Sequence, residues 1–460
     1  MMLRLHRLLV LAALALPSSA LAQHGPLSYA IDLNDRADDL FKVTLTVKGL
    51  KQENAVYQFA STAPGTYEVM DVGRFVRSFE AFDGSGRTVP VERISVNQWR
   101  LSDPPRVRTI KYSIAETWDT DLDHPLYLMC GASLEADHVL INPHAVIGYP
   151  TGMQATPVRL RLSYPAEWKV GTALERARDG SFVAKDYDQL VDSPILLGKL
   201  TSAETRVTGV PVEIYTYSET GKITSEQLLG AMHGMLEAAG QFLGALPVTR
   251  YTFLYHFADK PAGAWEHSLS SEYVLEESEF TDSVGKYVTD IASHEFFHVV
   301  TPLNIHSEII EHFNFVTPVP SQHLWLYEGT TEWAAHTMQL RAGLKTPEAY
   351  LATEIRKMHI DRMAYDSTYS LRELSLTSYS DSGQAQYGNI YMRGALVAGL
   401  LDIRLLELSH GQRGLQDLIL DLTRRYGKQR AFPEATFVDT LVALTDPSIR
   451  DFFDQYVLEA

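Results

Sequence analysis

The hexapeptide Ser293-His-Glu-Phe-Phe-His298 constrains this chain more than any other stretch. It contains H-E-x-x-H, with His294, Glu295 and His298. On a helix, positions i and i+4 lie on one face, with Cβ atoms about 5–6 Å apart. Two neutral imidazoles so placed bind one metal ion, and Glu295 reaches the water on that metal without ligating it. The fold must therefore build a helix here and bring a further ligand to its face. The pentapeptide alone also fits a buried amphipathic helix that happens to carry two histidines. The run Tyr287–Val300 is apolar over most of its surface, which predicts burial. Buried His and Glu need polar partners.

A partner is offered downstream, in Leu324-Trp-Leu-Tyr-Glu-Gly-Thr-Thr-Glu-Trp333. Glu328 opens an apparent second helix thirty positions beyond His298, and Glu332 follows one turn later on the same face. Two histidines and a glutamate are a catalytic zinc set, with a fourth position left for water. Glu328 is the expected third ligand of one zinc ion per chain. Glu332 is expected to orient a ligating imidazole. The plainer reading makes both glutamates exposed helix residues. Their apolar setting of Leu324, Trp325, Leu326, Tyr327 and Trp333 argues against it.

Residues 1–22 read as a secretory signal. Arg4, His6 and Arg7 precede the apolar run Leu8–Leu16, and Ala20-Leu-Ala22 is a small-residue cleavage site. Nine apolar residues are too few for a membrane span. Without the signal's two arginines the net charge of −17 becomes −19, which excludes nucleic acid and anionic membrane as natural partners. One cysteine, Cys130, permits no internal disulfide. An exported chain without disulfides fits a bacterial periplasm or secretion. Cys130 reads as a small buried residue rather than a nucleophile.

Two domains are expected, 23–204 and 205–460. In the first, Phe41–Val47 alternates with period two, and Ile110, Tyr112 and Ile114 share a face. Turn signals at Pro64-Gly65, Asp83-Gly84, Asp103-Pro-Pro105 and Tyr149–Gly152 separate such runs. This predicts an antiparallel β-sandwich-like domain. The acidic segment Asp119–His124 reads as a solvated loop. In the second domain, Pro211–Tyr217 and Tyr251–His256 read as strands and Ser225–Leu246 as a long amphipathic helix. After Trp333 the pattern is almost wholly helical, with Pro347 and Pro433 in first turns. The fold class is thus α+β and multidomain.

At this point the chain resembles the glycyl aminopeptidase family of zinc metallopeptidases, relatives of thermolysin. The residues that carry the resemblance are HEFFH, GAWEH at 263–267, YEGTTEW at 327–333 and YMRGALVAGLLDIR at 391–404. Upstream, Ala63-Pro-Gly-Thr-Tyr67, Tyr149-Pro-Thr-Gly152, Gly171-Thr-Ala-Leu174 and Val191-Asp-Ser-Pro194 add to it. The resemblance implies a thermolysin-like, mainly helical catalytic domain after the β-rich one. It implies cleavage of the first peptide bond of substrates with a free N-terminus, favouring Gly or Ala. It carries over His294, His298 and Glu328 as zinc ligands and Glu295 as general base. Glu266 matches a glutamate that holds the substrate's α-ammonium, with Gly263 beside it. Tyr391 is expected to stabilise the oxyanion, or Tyr387 one turn earlier; either also fits a core tyrosine. Two departures stand out. The segment after HEFFH is Val299-Val-Thr-Pro-Leu-Asn-Ile-His306, where Pro302 should end the helix early. Many members carry a C-terminal PDZ domain, for which no room is expected before Ala460. The rival readings are a zinc endopeptidase of the same fold and a non-catalytic exported binding protein.

Overall fold

The computed structural model describes residues 25–120, 126–259, 263–428 and 430–459. The expected signal, residues 1–22, and most of the acidic segment Asp119–His124 lie outside them.

The first domain is built of sheets. Its largest has eight strands, with β1 (Leu27–Asp32), β2 (Leu40–Thr46), β3 (Val107–Ala115) and β4 (Val158–Ser163) in the order β4-β1-β2-β3 at its centre. Period-two patterning explains β2: Phe41, Val43 and Leu45 are buried, while Lys42 and Thr44 turn outward. All pairings in this sheet are antiparallel except one. β1 and β4 run parallel, Leu27 opposite Val158. Well over a hundred residues separate these strands, enough for the long return a parallel pair requires. Two four-stranded sheets complete the domain. One core joins all three, with Phe41, Tyr57, Trp99, Leu140 and Leu196 in it.

The second domain opens on a five-stranded sheet. Its strands are β5 (Thr201–Val207), β6 (Val210–Ser218), β7 (Tyr251–Ala258), β8 (Gly263–His267) and β9 (Ser270–Glu276), in the order β5-β6-β7-β9-β8. A division at 204–205 would cut β5, and the sheet as a unit begins at Thr201. β6, β7 and β9 are parallel, and β8 folds back antiparallel as the edge. Every residue of β7 is buried, because both faces are covered. Phe253, Tyr255 and Phe257 face the helices, while Leu254 enters the core of the first domain.

Two helices lie beside this sheet. α1 (Ser225–Leu243) starts on a capping box of Thr224 and Gln227. It ends at Leu243, three residues before the expected Leu246, and is capped by Gly244, whose φ of 71° suits glycine. α2 (Asp282–Phe297) packs against α1. The helical part then follows as α3 (Thr330–Arg341), α4 (Pro347–Ala364) and α5 (Asn389–Leu408), with shorter helices to the end. No described helix is long and apolar enough to cross a membrane.

Candidate active site

The site grows from the C-terminal end of α2. This helix begins earlier than its apolar run suggests, at the Thr281 cap, and Tyr287 is 58% exposed. Only its last turns are fully buried, with Ser293, His294, Glu295, Phe296 and Phe297 inside. It stops at Phe297, with His298 as its cap. The residue before a proline avoids helical backbone, so Thr301 cannot continue the helix. The turn that results has a use. Thr301 offers its carbonyl to His298 Nδ1 at 2.8 Å. That proton placement leaves His298 Nε2 as a lone pair.

Glu328 does not open an α-helix, as its sequence setting suggests. It lies in a π-helical turn, Trp325–Gly329, that leads into α3. Such turns add a residue per turn and re-aim side chains. Gly329 of this turn meets Gly394 of α5 backbone to backbone: a Cβ on Gly329 would stand 2.6 Å from the Gly394 carbonyl carbon. The contact brings Glu328 and the tyrosines of α5 to one place.

His294 Nε2 lies 3.3 Å and His298 Nε2 3.4 Å from Glu328 Oε2. One ligand atom from each of the three lies within 4.8 Å of the others, and all three residues are buried. Two imidazole nitrogens with free lone pairs and one carboxylate oxygen form a donor set that fits zinc. Against the burial that would raise it, His298 and His294 hold the Glu328 carboxyl down to about 2. Against the burial that would lower it, Glu328 and Glu332 raise the proton affinity of His294. The pocket is thus built for positive charge. Glu332 accepts from His294 Nδ1 at 2.9 Å, so it sets the tautomer that frees Nε2.

His294, His298 and Glu328 line a cleft of about 670 Å³ between the two domains. Glu295 and Glu266 face into it, and Glu266, Glu295 and His298 also converge within 4.8 Å. Burial, opposed by His294 and His298, pushes the Glu295 carboxyl up to about 7. Glu266 stands on the edge strand β8. The turn of the first domain at Gly65 presses on it: a Cβ there would lie 2.5 Å from Trp265 Nε1 and 2.9 Å from Glu266 Oε1. Gly65 has φ 80°, so this close approach is open to glycine alone. Gly263 begins β8 beneath the Tyr127 hydroxyl, which a Cβ would meet at 2.6 Å.

Tyr391 and Tyr387 both face the cleft, with their hydroxyls 3.2 Å apart. The Tyr391 ring lies 5.5 Å from that of His294, whereas the Tyr387 ring lies 5.5 Å from Tyr67 of the first domain. Burial and then the nearby Glu328 raise the Tyr391 phenol well above its ordinary value, so it stays a hydrogen-bond donor.

Several lining residues escaped the sequence reading. Gly65, Thr66 and Glu68 come from the first domain, as does the stretch Leu126–Cys130. Cys130 is buried and burial raises its thiol, as expected for an unreactive residue, yet its segment forms a wall of the cleft. Burial raises the Glu68 carboxyl, opposed by the Tyr127 backbone of that wall. Gln384 donates to the Tyr67 carbonyl at 2.6 Å, which ties the helical part to the same turn. A turn signal marks Pro64-Gly65, but nothing local places it, Glu68 or Leu126–Cys130 at the cleft, because the cleft unites segments hundreds of positions apart. Asn304 and His306 are buried outside the cleft lining.

Comparison with known proteins follows the two-domain division. Residues 28–199 match the Peptidase M61 N-terminal domain, and residues 287–397 match the M61 glycyl aminopeptidase domain. The crystal structure of an aminopeptidase N family protein from Idiomarina loihiensis superposes with a TM-score of 0.83 at 23% identity. It covers 94% of this chain and 76% of that one. Native yeast LTA4 hydrolase gives 0.57 at 12% identity, over 95% and 68%. A two-domain M1 zinc metallopeptidase variant bound to L-tryptophan gives 0.52 at 14%, over 93% and 94%. At these identities the solved structures share the fold: a sheet-rich domain followed by a helical peptidase domain. No curated protein sequence matches the chain.

Proposed function

Since the chain belongs to the M61 glycyl aminopeptidase family and is a peptidase, we propose that it is a zinc-dependent aminopeptidase. On this reading it removes small N-terminal residues such as Gly or Ala from peptides. The observation that carries it is the convergence of Glu266, Glu295 and His298 beside the His294–His298–Glu328 set. A free carboxylate next to a metal and a base favours a substrate whose amino end is charged. His294, His298 and Glu328 would hold one zinc ion. When bound, zinc supplies Lewis acidity toward the scissile carbonyl and the attacking water.

The chain's own residues do the rest. Glu266 binds the α-ammonium and sets the register at one residue. Glu295 takes a proton from the attacking water and passes it to the leaving amine. Tyr391 donates to the carbonyl oxygen as it gains charge, and it suits this role better than Tyr387, whose ring contacts Tyr67. The first domain closes the cleft with Gly65 and Leu126–Cys130, which limits how far a peptide extends beyond its N-terminus.

The leader-like residues 1–22 support export to a periplasm or beyond. The start of β5 supports a domain division near residue 200.

The test is the initial rate on an alanyl peptide with a free N-terminus against the same peptide acetylated. Cleavage of the free form alone is expected, and Glu266→Gln should erase most of the difference by raising KM for the free form. Equal rates on both forms in the wild type would show an endopeptidase and remove the role given to Glu266.

A further inference from the structure

The helix α4 presents an anomaly. Of its eighteen residues, only Lys357 is fully buried, at 2% exposure. A buried ammonium is costly unless it is paired, and an apolar residue of similar volume is often as stable or more so. What Lys357 touches explains its place. Its Nζ lies 3.0 Å from Glu332 Oε1 and 3.4 Å from Glu354 Oε1.

Glu332 is the carboxylate behind His294, and both of its oxygens are engaged. Oε2 takes His294 Nδ1 at 2.9 Å. Oε1 takes His336 Nε2 at 3.1 Å as well as Lys357. The direction of the His336 contact is determined. Lys345 Nζ lies 2.6 Å from His336 Nδ1, and an ammonium only donates, so Nδ1 accepts and Nε2 carries the proton. Lys345 is held in turn by Asp290 of α2 at 2.8 Å. Glu332 therefore holds two imidazole hydrogen bonds and one ion pair on its two oxygens, and together they oppose its rotation away from His294.

α4 has a second polar anchor on the same inner face. Asp361, one turn beyond Lys357, accepts from Asn389 and Arg393 of α5, each at 2.9 Å. One helix thus braces both the carboxylate behind the metal ligand and the helix that carries Tyr391.

We infer that Lys357 is a positioning residue for the metal centre: by clamping Glu332 it holds His294 in the tautomer and orientation that bind metal. The inference rests on the metal reading of His294, His298 and Glu328. Without the clamp the Glu332 carboxylate gains a rotation that loosens His294, and metal affinity falls while the fold is kept.

The experiment titrates zinc into the full-length apoprotein against a chelating competitor, with thermal melting of the apo form in parallel. Wild type should bind one zinc, and His294→Ala should lose it. Lys357→Met should weaken zinc binding about 10- to 100-fold, the range for groups that orient a ligating histidine. Lys357→Arg should recover most of the loss, since it restores a cation at Glu332. A merely structural lysine would instead lower the apo melting temperature and leave the affinity of the folded fraction unchanged; that result overturns the inference. Should Lys357→Met fail to fold, Lys345→Met tests the same clamp from its other arm, with a smaller loss expected and an unchanged affinity counting against it. A wild type that binds no zinc, or a His294→Ala protein that binds it fully, overturns the metal reading and the inference with it.

Discussion

The candidate site residues are legible where their spacing is local. His294 and His298 are separated by one helical turn, so a pentapeptide displays them. Glu295 follows from the same turn, and its role is open to a direct check. Glu295→Gln keeps the shape and both imidazoles, so stoichiometric zinc should remain. Loss of a general base costs about 10²–10⁴-fold in rate. Metal analysis beside steady-state kinetics decides it: a variant with near wild-type kcat would sink the base assignment. Glu332 was readable as a partner of His294, but its other donors were not. Lys357 sits on a helix none of whose other residues is fully buried, and nothing local distinguishes it from an exposed lysine.

At the scale of elements, strands and helices were legible wherever their periodicity is strong. β2, β3, β7 and α1 lie within a few residues of expectation. The π-helical turn at Trp325–Gly329 was not, because no composition distinguishes it from an α-helical start. Its Gly329 contact with Gly394 gives the element a test. A methyl group at 329 would strike backbone, which cannot swing aside. Gly329→Ala should destabilise the protein by about 1–3 kcal/mol, the cost of overpacking. It should also lower kcat, since the turn carries Glu328 and α5 carries Tyr391. Thermal melts and rates on one preparation measure both; unchanged values for the two would mean the helices separate freely.

Across the whole molecule, the two domains share a buried polar seam. Asn142 of the first domain donates to Glu272 of β9 at 3.3 Å, and Glu272 is fully buried. Burial, slightly offset by Asn142, pushes its carboxyl from 4.5 up to about 8. An acid whose folded value is raised stabilises the fold fully below its unfolded value, and that contribution is lost as pH rises toward the folded value. Wild-type stability should therefore decline between about pH 4.5 and 8 on this account. Glu272→Gln removes the proton dependence, so its melting temperature should exceed wild type at pH 8 by several degrees and approach it near pH 5. Parallel pH profiles of the two proteins would contradict this reading.

The amino-acid sequence by itself determined what depends on neighbours along the chain. It showed an H-E-x-x-H helix, a sheet-rich first half, a helical second half and the His, His and Glu that the fold brings together. These are legible because helical and strand periodicities and metal-ligand spacing are short-range. Only the tertiary structure decided the cleft. Gly65 reaches Glu266, Leu126–Cys130 forms a wall, and Lys357 clamps Glu332. Those contacts join positions tens to hundreds of residues apart. They exist because the first domain covers the open face of the second domain's sheet and α4 turns a charged face inward, which no local pattern encodes.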